Sequence, residues 1–370
     1  MAGPVTTRRD CDTPGYDRKR VAGLSRSASG ASRLDAPHPH ENDGRIGVLF
    51  AQLGTPDAPT PAALRRYLRQ FLSDRRVVER NRLLWWFILR LLVLPRRSRR
   101  SAALYQRIWT RDGSPLLKIS RSQARALDAE LERHEPGRFK VVLGMRYGSP
   151  SIGSAVQELH DWGADRLLLL PLYPQYAGAT TGSTYDEVFK ELSALRFMPA
   201  LRIVPPYYTH PAYIEALAES VREAMTSRPR PPDRVIISFH GLPQLMIDGG
   251  DPYASHCEAT ARSLAARAGL EEGSYVLSYQ SRAGRVPWLR PYTDETLAEL
   301  ARTGARHVMV ICPGFVADCL ETIDEIGHVG LEQFRAAGGE TLQLVEGLND
   351  RPRWISALSQ IALEQLQGWR

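Results

Sequence analysis

Short apolar runs alternate with helical patterns along most of the chain after Arg45. The runs are rich in Leu or in β-branched residues, and they cover residues 46–53, 140–143, 166–170, 235–239, 275–278 and 307–311. Continuous apolar strands separated by helices predict parallel sheets that are covered on both faces. The order of the runs predicts an α/β protein with two Rossmann-like, doubly wound domains, at 45–205 and 206–350.

The two ends of the chain differ from this pattern. Residues 1–44 mix Arg, Asp, Ser, Gly and Pro and have almost no periodic apolar positions, which predicts a disordered tail. Residues 352–370 begin with Pro352, and apolar side chains follow in helical register at Ile355, Leu358, Ile361, Leu363 and Leu366. We expect this C-terminal helix to pack back on the first domain.

Composition excludes several classes of protein. With 43% hydrophobic and 24% charged residues, the 370-residue chain is neither disordered nor collagen-like. The longest apolar run, residues 83–94, is interrupted by Arg90 and is shorter than the ~20 residues that a membrane span needs. Four cysteines without a CxxC pair favour reduced thiols and a cytoplasmic protein.

The net charge of +7 comes from one segment. Residues 75–111 contain eleven arginines and one acidic residue, so the rest of the chain is slightly acidic. This distribution argues against a nucleic-acid-binding protein. Residues 83–100 combine these arginines with the adjacent Trp85, Trp86 and Phe87, which point around a helix and cannot all enter one core. The combination predicts peripheral contact with an anionic membrane surface; the alternative is an ordinary buried helix with solvated arginines.

Candidate chemistry gathers after the strands, where doubly wound sheets bind their ligands. Gly, Pro, aromatic and ionisable residues are concentrated in residues 52–56, 144–150, 171–183, 238–241, 279–294 and 312–325. His240 ends one apolar run, and Gly241 lets the backbone turn away behind it. A histidine at the end of a strand can be structural. The ionisable and aromatic residues that follow the other strands favour a functional role for His240.

Three carboxylates, Glu321, Asp324 and Glu325, have the spacing i, i+3, i+4 and would share one face of a helix. They could form a solvated first turn, with Asp318 as N-cap and Glu321 completing a capping pattern. They could equally form a cation-binding or proton-accepting face. The spacing alone does not decide. The chain lacks the P-loop, strand-linked GxGxxG and GxSxG motifs, so nucleotide-binding and α/β-hydrolase functions lose their main support.

Taken together, these segments closely resemble the ferrochelatase family, in the form found in Gram-negative bacteria. The resemblance runs from about Ile46 to the C-terminus. It is carried by QLGTPDAPTPAALRRYLRQFLSDRRVVE, GSPLL, LGMRYGSPSI, LPLYPQYAGATTGS, SFHGLPQ, YQSRAGRVPWLRPYTDETL and CPGFVADCLETIDEI. It implies a lyase that inserts ferrous iron into protoporphyrin IX, with release of two protons, in the last step of haem biosynthesis.

The resemblance also implies a site. His240 and Glu321 would be the catalytic, metal-binding and proton-handling pair in a porphyrin cleft between two domains, although which of them takes protons stays open. No organic cofactor is implied, and ferrous iron is a substrate. No cysteine follows Cys319, so we expect no [2Fe–2S] cluster of the C-terminal type. Cys319 itself stands where some relatives have a histidine.

Further residues of the predicted site fall into three groups. The aromatic side chains expected to contact the porphyrin ring are Tyr147, Trp288 and Phe315. The arginines expected to bind its propionates are Arg107 and Arg146. The carboxylates expected to form a proton or metal conduit are Asp324 and Glu325. The alternatives are a chelatase for coproporphyrin or for another divalent metal, and a non-catalytic tetrapyrrole carrier.

Overall fold

The structure, a computed structural model, describes residues 44–228, 230–284 and 286–369. The predicted tail, apart from Gly44, lies outside the described residues. Among the residues that are described, no helix is both long and apolar enough to cross a bilayer.

The first sheet contains four parallel strands in the order β2-β1-β3-β4. Its strands are β1 (Ile46–Thr55), β2 (Phe139–Gly148), β3 (Arg166–Pro171) and β4 (Ala200–Ile203). The central strands β1 and β3 are almost entirely buried, as their unbroken apolar sequences predict for a parallel sheet covered on both sides.

The helices of this half precede, follow or connect its strands. They are α1 (Pro61–Leu72), α2 (Arg82–Ile88), α3 (Leu94–Ile108), α4 (Pro115–His134), α5 (Ile152–Asp161) and α6 (Ser183–Ser193). Two π-helical segments, π1 (Leu89–Val93) and π2 (Gly178–Gly182), join α2 to α3 and precede α6. Helix α1 begins where Thr60 accepts a hydrogen bond from the Ala63 backbone and Pro61 occupies the first turn.

The second sheet repeats this arrangement with the order β6-β5-β7-β8. Its strands are β5 (Arg234–His240), β6 (Tyr275–Gln280), β7 (His307–Ile311) and β8 (Thr341–Leu344). The accompanying helical elements are α7 (Pro211–Thr226), α8 (Gln244–Asp248), α9 (Tyr253–Ala268), α10 (Thr293–Arg302), π3 (Glu321–Gly330) and α11 (Leu331–Ala336). The predicted fold class, with two parallel Rossmann-like sheets, is confirmed.

One apolar core links the two sheets. It contains Phe50 and Leu170 from the first sheet and Phe239 and Ile311 from the second, together with the fully buried Trp354. Trp354 belongs to α12 (Pro352–Gln365), which packs on α4 and α7. The domain boundaries 45–205 and 206–350 stay predictions, because this core crosses them.

Candidate active site

A cavity of about 370 Å³ opens at the carboxyl ends of the strands of both sheets. Its wall includes Gln52–Thr55 at the end of β1, Leu172 and Tyr173 after β3, His240 at the end of β5, Ser281 after β6 and Gly314–Ala317 after β7. The lining is predominantly apolar and aromatic. A flat, apolar ligand with a few polar groups suits such a wall.

Glycine is required where β1 reaches the cavity. Gly54 has a φ angle of +112°, and a Cβ atom there would lie 1.7 Å from the carbonyl oxygen of Tyr147 on the neighbouring strand. Any side chain would force β1 and β2 apart. The QLGTP segment is therefore shaped by strand packing immediately beside the cavity.

His240 ends β5 with its imidazole at the cavity wall. Its Nδ1 atom lies 2.6 Å from the carbonyl oxygen of Gly241, which can only accept a hydrogen bond. In the neutral ring, Nδ1 therefore carries the hydrogen and Nε2 has a free lone pair. The structure thus leaves Nε2 available as a base or as a metal ligand.

Glu321 is the first residue of π3 and also lines the cavity. Its backbone carbonyl accepts a hydrogen bond of 2.8 Å from the amide of Gln280, at the end of β6. The thiol of Cys319 hydrogen-bonds the Glu321 carboxylate, and burial, with the nearby charge of Glu321, raises the pKa of that thiol. One contact from the end of β6 and one from the loop before π3 therefore fix the position of Glu321.

Glu325 lies one turn beyond Glu321. It accepts hydrogen bonds from the backbone nitrogen (2.7 Å) and the hydroxyl (2.5 Å) of Ser281. Burial raises the pKa of Glu325, Glu321 raises it further, and the Ser281 hydroxyl and His240 lower it. Glu325 is thus electrostatically linked to both members of the predicted pair.

Asp324 extends the same acidic face away from the cavity wall. Its side chain is only 4% exposed, and it forms an ion pair of 2.9 Å with Arg107 and contacts His328 at 3.4 Å. Arg107 and His328 are both half-exposed. The solvated-first-turn interpretation is therefore wrong for Asp324, which is a buried and paired group.

Four of the nine predicted site residues line the cavity: His240, Trp288, Phe315 and Glu321. The ring centroid of His240 lies 6.4 Å from that of Trp288 and 6.3 Å from that of Phe315. The imidazole is thus bordered by two aromatic rings. Within the described ranges, no group of three or more His, Cys, Asp or Glu side chains is arranged to hold a metal ion.

None of the other predicted substrate contacts, Arg146, Tyr147 and Arg107, lines the cavity. Arg146 binds Asp74 at 2.5 Å and Glu187 at 3.2 Å. Tyr147 is fully buried, donates to Asp74, and packs edge-to-face behind the cavity residue Phe71 with a centroid distance of 5.1 Å.

An arginine that the sequence assigned to lipid contact lines the cavity instead. Arg97 of α3 makes no ion pair within the described part of the chain, and partial burial, with the nearby charge of Arg100, lowers its pKa. The buried residues Leu94, Ser98 and Ala102 show which face of α3 turns inward. Arg97 lies at the edge of that face, so a helical-wheel projection was the signal that could have found it.

Comparison with known proteins identifies the family of the chain. A family model described as ferrochelatase matches residues 45–366. The ferrochelatase of Hydrogenovibrio crunogenus is 49% identical over 334 residues, which cover 89% of this chain and 88% of that protein. The ferrochelatase of Pectobacterium atrosepticum is 48% identical, over 86% of this chain and 97% of that protein.

Two solved structures of more distant proteins align with this chain at lower similarity. SirB from Bacillus subtilis with Fe3+ aligns with a TM-score of 0.49 at 15% identity, over 68% of this chain and 92% of that one. CbiX aligns with a TM-score of 0.44 at 13% identity, over 86% and 98% of the two chains.

The match to a ferrochelatase model over most of a chain with two parallel α/β sheets identifies the protein as a metal chelatase. The chain belongs to the ferrochelatase family. The resemblance read from the sequence is thereby confirmed, and the protein is a lyase of haem biosynthesis that uses ferrous iron as a substrate.

Proposed function

We propose that the cavity binds protoporphyrin IX and that His240 and Glu321 insert ferrous iron into it. The observation that supports this proposal most directly is that both side chains reach the same predominantly apolar cavity. A flat macrocycle fits among Trp288, Phe315 and the other apolar residues of the wall. The imidazole of His240 and the carboxylate of Glu321 then face the ring in a cavity from which the macrocycle excludes water.

The reaction needs a base and a ligand at the ring centre. A porphyrin carries two inner N–H groups, so iron can enter only as these protons leave. The Nε2 lone pair of His240 and the carboxylate of Glu321 are suitable proton acceptors, and both are suitable ligands of ferrous iron. The products are protohaem and two protons.

The acidic face of π3 provides a route between the cavity and solvent. Glu321 lies at the wall, Glu325 follows it with a raised pKa, and buried Asp324 reaches the half-exposed His328. A carboxyl whose pKa is raised holds a proton at higher pH than an ordinary carboxylate does, which suits a group that passes protons on. We propose that Asp324 and Glu325 form the conduit for protons or metal, and that Arg107 holds Asp324 in place rather than binding a propionate.

Arg97 is the proposed propionate contact. Among the described residues it is the arginine that lines the cavity, and it forms no ion pair with any of them. A guanidinium binds a carboxylate through two parallel hydrogen bonds. This assignment replaces Arg107 and Arg146, whose guanidinium groups already bind Asp324 and Asp74.

The chemistry proposed here uses no organic cofactor and no iron–sulfur cluster. Cys257, Cys312 and Cys319 are buried free thiols. Cys257 lies in α9, Cys312 follows β7, and Cys319 contacts Glu321. Cys11 lies outside the described residues.

Membrane contact is a further part of the proposal. The side chains of the apolar patch, which we define as Leu83, Leu84, Trp86, Phe87, Leu91 and Leu92, are each at least 47% exposed. Trp85 does not belong to this patch, because its indole donates a 2.7 Å hydrogen bond to the Leu72 carbonyl beside the cavity. Exposed apolar residues beside arginines favour reversible binding to a bilayer, from which a poorly soluble porphyrin could enter.

The decisive experiment is an anaerobic metalation assay with ferrous iron and protoporphyrin IX. We expect His240→Ala and Glu321→Gln to abolish iron insertion while porphyrin affinity changes by less than about tenfold, since neither change removes the ring contacts. His134→Ala, at an exposed histidine of α4 outside the cavity lining and the acidic face, is the matched control. Turnover above about a tenth of wild type in either variant would contradict the assigned pair.

The same assay separates the alternative functions. Competition between protoporphyrin IX and coproporphyrin, and between ferrous iron and other divalent cations, measures substrate preference. A wild-type protein that binds porphyrin but never metalates it would be a carrier, and the proposal would be wrong.

A further inference from the structure

A second, open cleft of about 600 Å³ lies outside the cavity, beside the apolar patch. We call it the basic cleft. Its charged lining consists of Arg66, Arg69, Arg90, Arg146, Asp57 and Asp74. Helix α1 separates it from the cavity, and Tyr67 of that helix contributes to both walls.

Two of the four arginines in the basic cleft are already neutralised. Arg66 pairs with Asp57 at 3.2 Å, and Arg146 pairs with Asp74 at 2.5 Å. Arg69 and Arg90 form no ion pair with any described residue. The cleft therefore has uncompensated positive charge on two guanidinium groups that come from different elements, α1 and π1.

The position of Arg90 connects the basic cleft to the apolar patch. Its guanidinium carbon lies 4.3 Å from the ring centroid of Trp86, which is a member of the patch. Arg90 thus stands on the border between a basic recess and a group of exposed apolar side chains. A ligand that bridges this border has an anionic head and an apolar tail.

The floor of the cleft is rigid. The side chain of Gln70 accepts a hydrogen bond of 2.9 Å from the backbone nitrogen of Gly148, which ties α1 to the end of β2. Asp74 accepts further hydrogen bonds from Ser183 (2.6 Å) and Tyr147 (2.8 Å). Fixed walls lower the entropic cost of holding a ligand between the arginines.

We propose that the basic cleft binds the phosphate of an acidic phospholipid, through Arg69 and Arg90, while the acyl chains lie along the apolar patch. Arginine binds phosphate oxygens through two parallel, charge-assisted hydrogen bonds, which suits a phosphodiester. The proposal rests on the membrane contact proposed above and adds a defined headgroup site to it.

The test measures co-sedimentation with two kinds of vesicle at fixed salt. One kind is pure phosphatidylcholine, and the other is an equal mixture of phosphatidylcholine and phosphatidylglycerol. The test variant is Arg69→Gln/Arg90→Gln. The matched control is Arg96→Gln/Arg99→Gln, which removes two exposed arginines from the neighbouring part of the same basic segment but outside the cleft.

We expect both variants to bind phosphatidylglycerol vesicles less tightly than wild type, because each arginine contributes to the general attraction. The loss in the cleft variant should exceed that in the control by about fivefold or more, since it also removes bidentate contacts. Equal losses in the two variants would overturn the headgroup site and leave the membrane contact standing. A wild-type protein that binds neither vesicle would overturn both.

A final arm distinguishes lipid from soluble phosphate. Glycerol 1-phosphate is titrated against the full-length protein without vesicles, and then as a competitor with them. Competition that is lost in the cleft variant supports the headgroup site. Saturable binding of the soluble ester, combined with unchanged vesicle binding by the cleft variant, would show that the cleft serves a soluble ligand and that the lipid proposal is wrong.

Discussion

Replacing Arg97 tests how the substrate is held. Arg97 lines the cavity, has no partner carboxylate within the described residues, and remains partly exposed. A hydrogen bond to a charged group is worth about 1.5–3 kcal/mol, and solvent screening at a partly exposed site favours the lower end. Because 1.4 kcal/mol corresponds to a factor of ten, Arg97→Gln should weaken porphyrin binding about tenfold.

The assay compares two porphyrins by fluorescence titration. Protoporphyrin IX has free propionates, whereas its dimethyl ester has none. Arg97→Gln should weaken binding of the free acid about tenfold and leave binding of the ester within about twofold. Arg96→Gln, at the adjacent residue outside the cavity lining, should change neither.

Two results would refute this reasoning. If Arg97→Gln weakens binding of the acid and the ester equally, Arg97 contacts the ring or supports the wall and does not bind a propionate. If Arg96→Gln has the same effect as Arg97→Gln, the effect comes from general charge and not from a cavity contact. Arg97→Lys should lie between wild type and Arg97→Gln, because it keeps the charge but loses the two parallel hydrogen bonds.

Two further predictions concern buried carboxylates. Burial opposes ionisation of Asp74, but hydrogen bonds from Ser183 and its other donors outweigh it and lower its pKa, so Asp74→Asn should cost about 3–5 kcal/mol in urea unfolding at neutral pH. That cost should shrink as the pH falls through the lowered pKa, and a constant difference down to pH ~2 would contradict it. Ser281→Ala removes a hydrogen bond that stabilises charged Glu325, so the acid limb of kcat/KM against pH should move to higher pH; an unmoved limb would exclude Glu325 as the titrating group.

The two strands that the sequence did not predict, β4 and β8, are less buried than the central strands that it predicted. β1, β3, β5 and β7 are central strands, and their continuous apolar sequences identify them. β4 and β8 are four-residue edge strands with mostly half-exposed side chains, so neither has a strong apolar signal. Edge pairing depends on the neighbouring strand more than on the sequence of the edge strand itself.

The sequence predicted the location of a site residue where that residue stands at the end of a strand. It did not predict which way a side chain turns, because tertiary packing determines that. His240 follows a strand that ends at the cavity, so its location was readable from the sequence. Arg146 and Tyr147 also stand at the end of a strand, but their side chains hydrogen-bond to Asp74. No local sequence pattern shows that they bind Asp74 and do not face the cavity. Arg97 stands among other arginines, and only a helical-wheel projection of α3 would have separated it from them.

The two sheets repeat one strand order, yet they contribute different side chains to the cavity. Each third strand, β3 and β7, is followed by a π-helical segment, and both segments contribute to the cavity through Ala179, Thr180 and Glu321. This is the symmetry that duplication of one ancestral four-stranded unit would leave. In the second sheet, His240 ends the first strand and Glu321 begins the π-helical segment after the third, whereas the segment after β3 brings the small, uncharged Ala179 and Thr180 to the cavity. The two halves therefore share a strand order but contribute different side chains to the cavity, and the second half contributes the imidazole and the carboxylate.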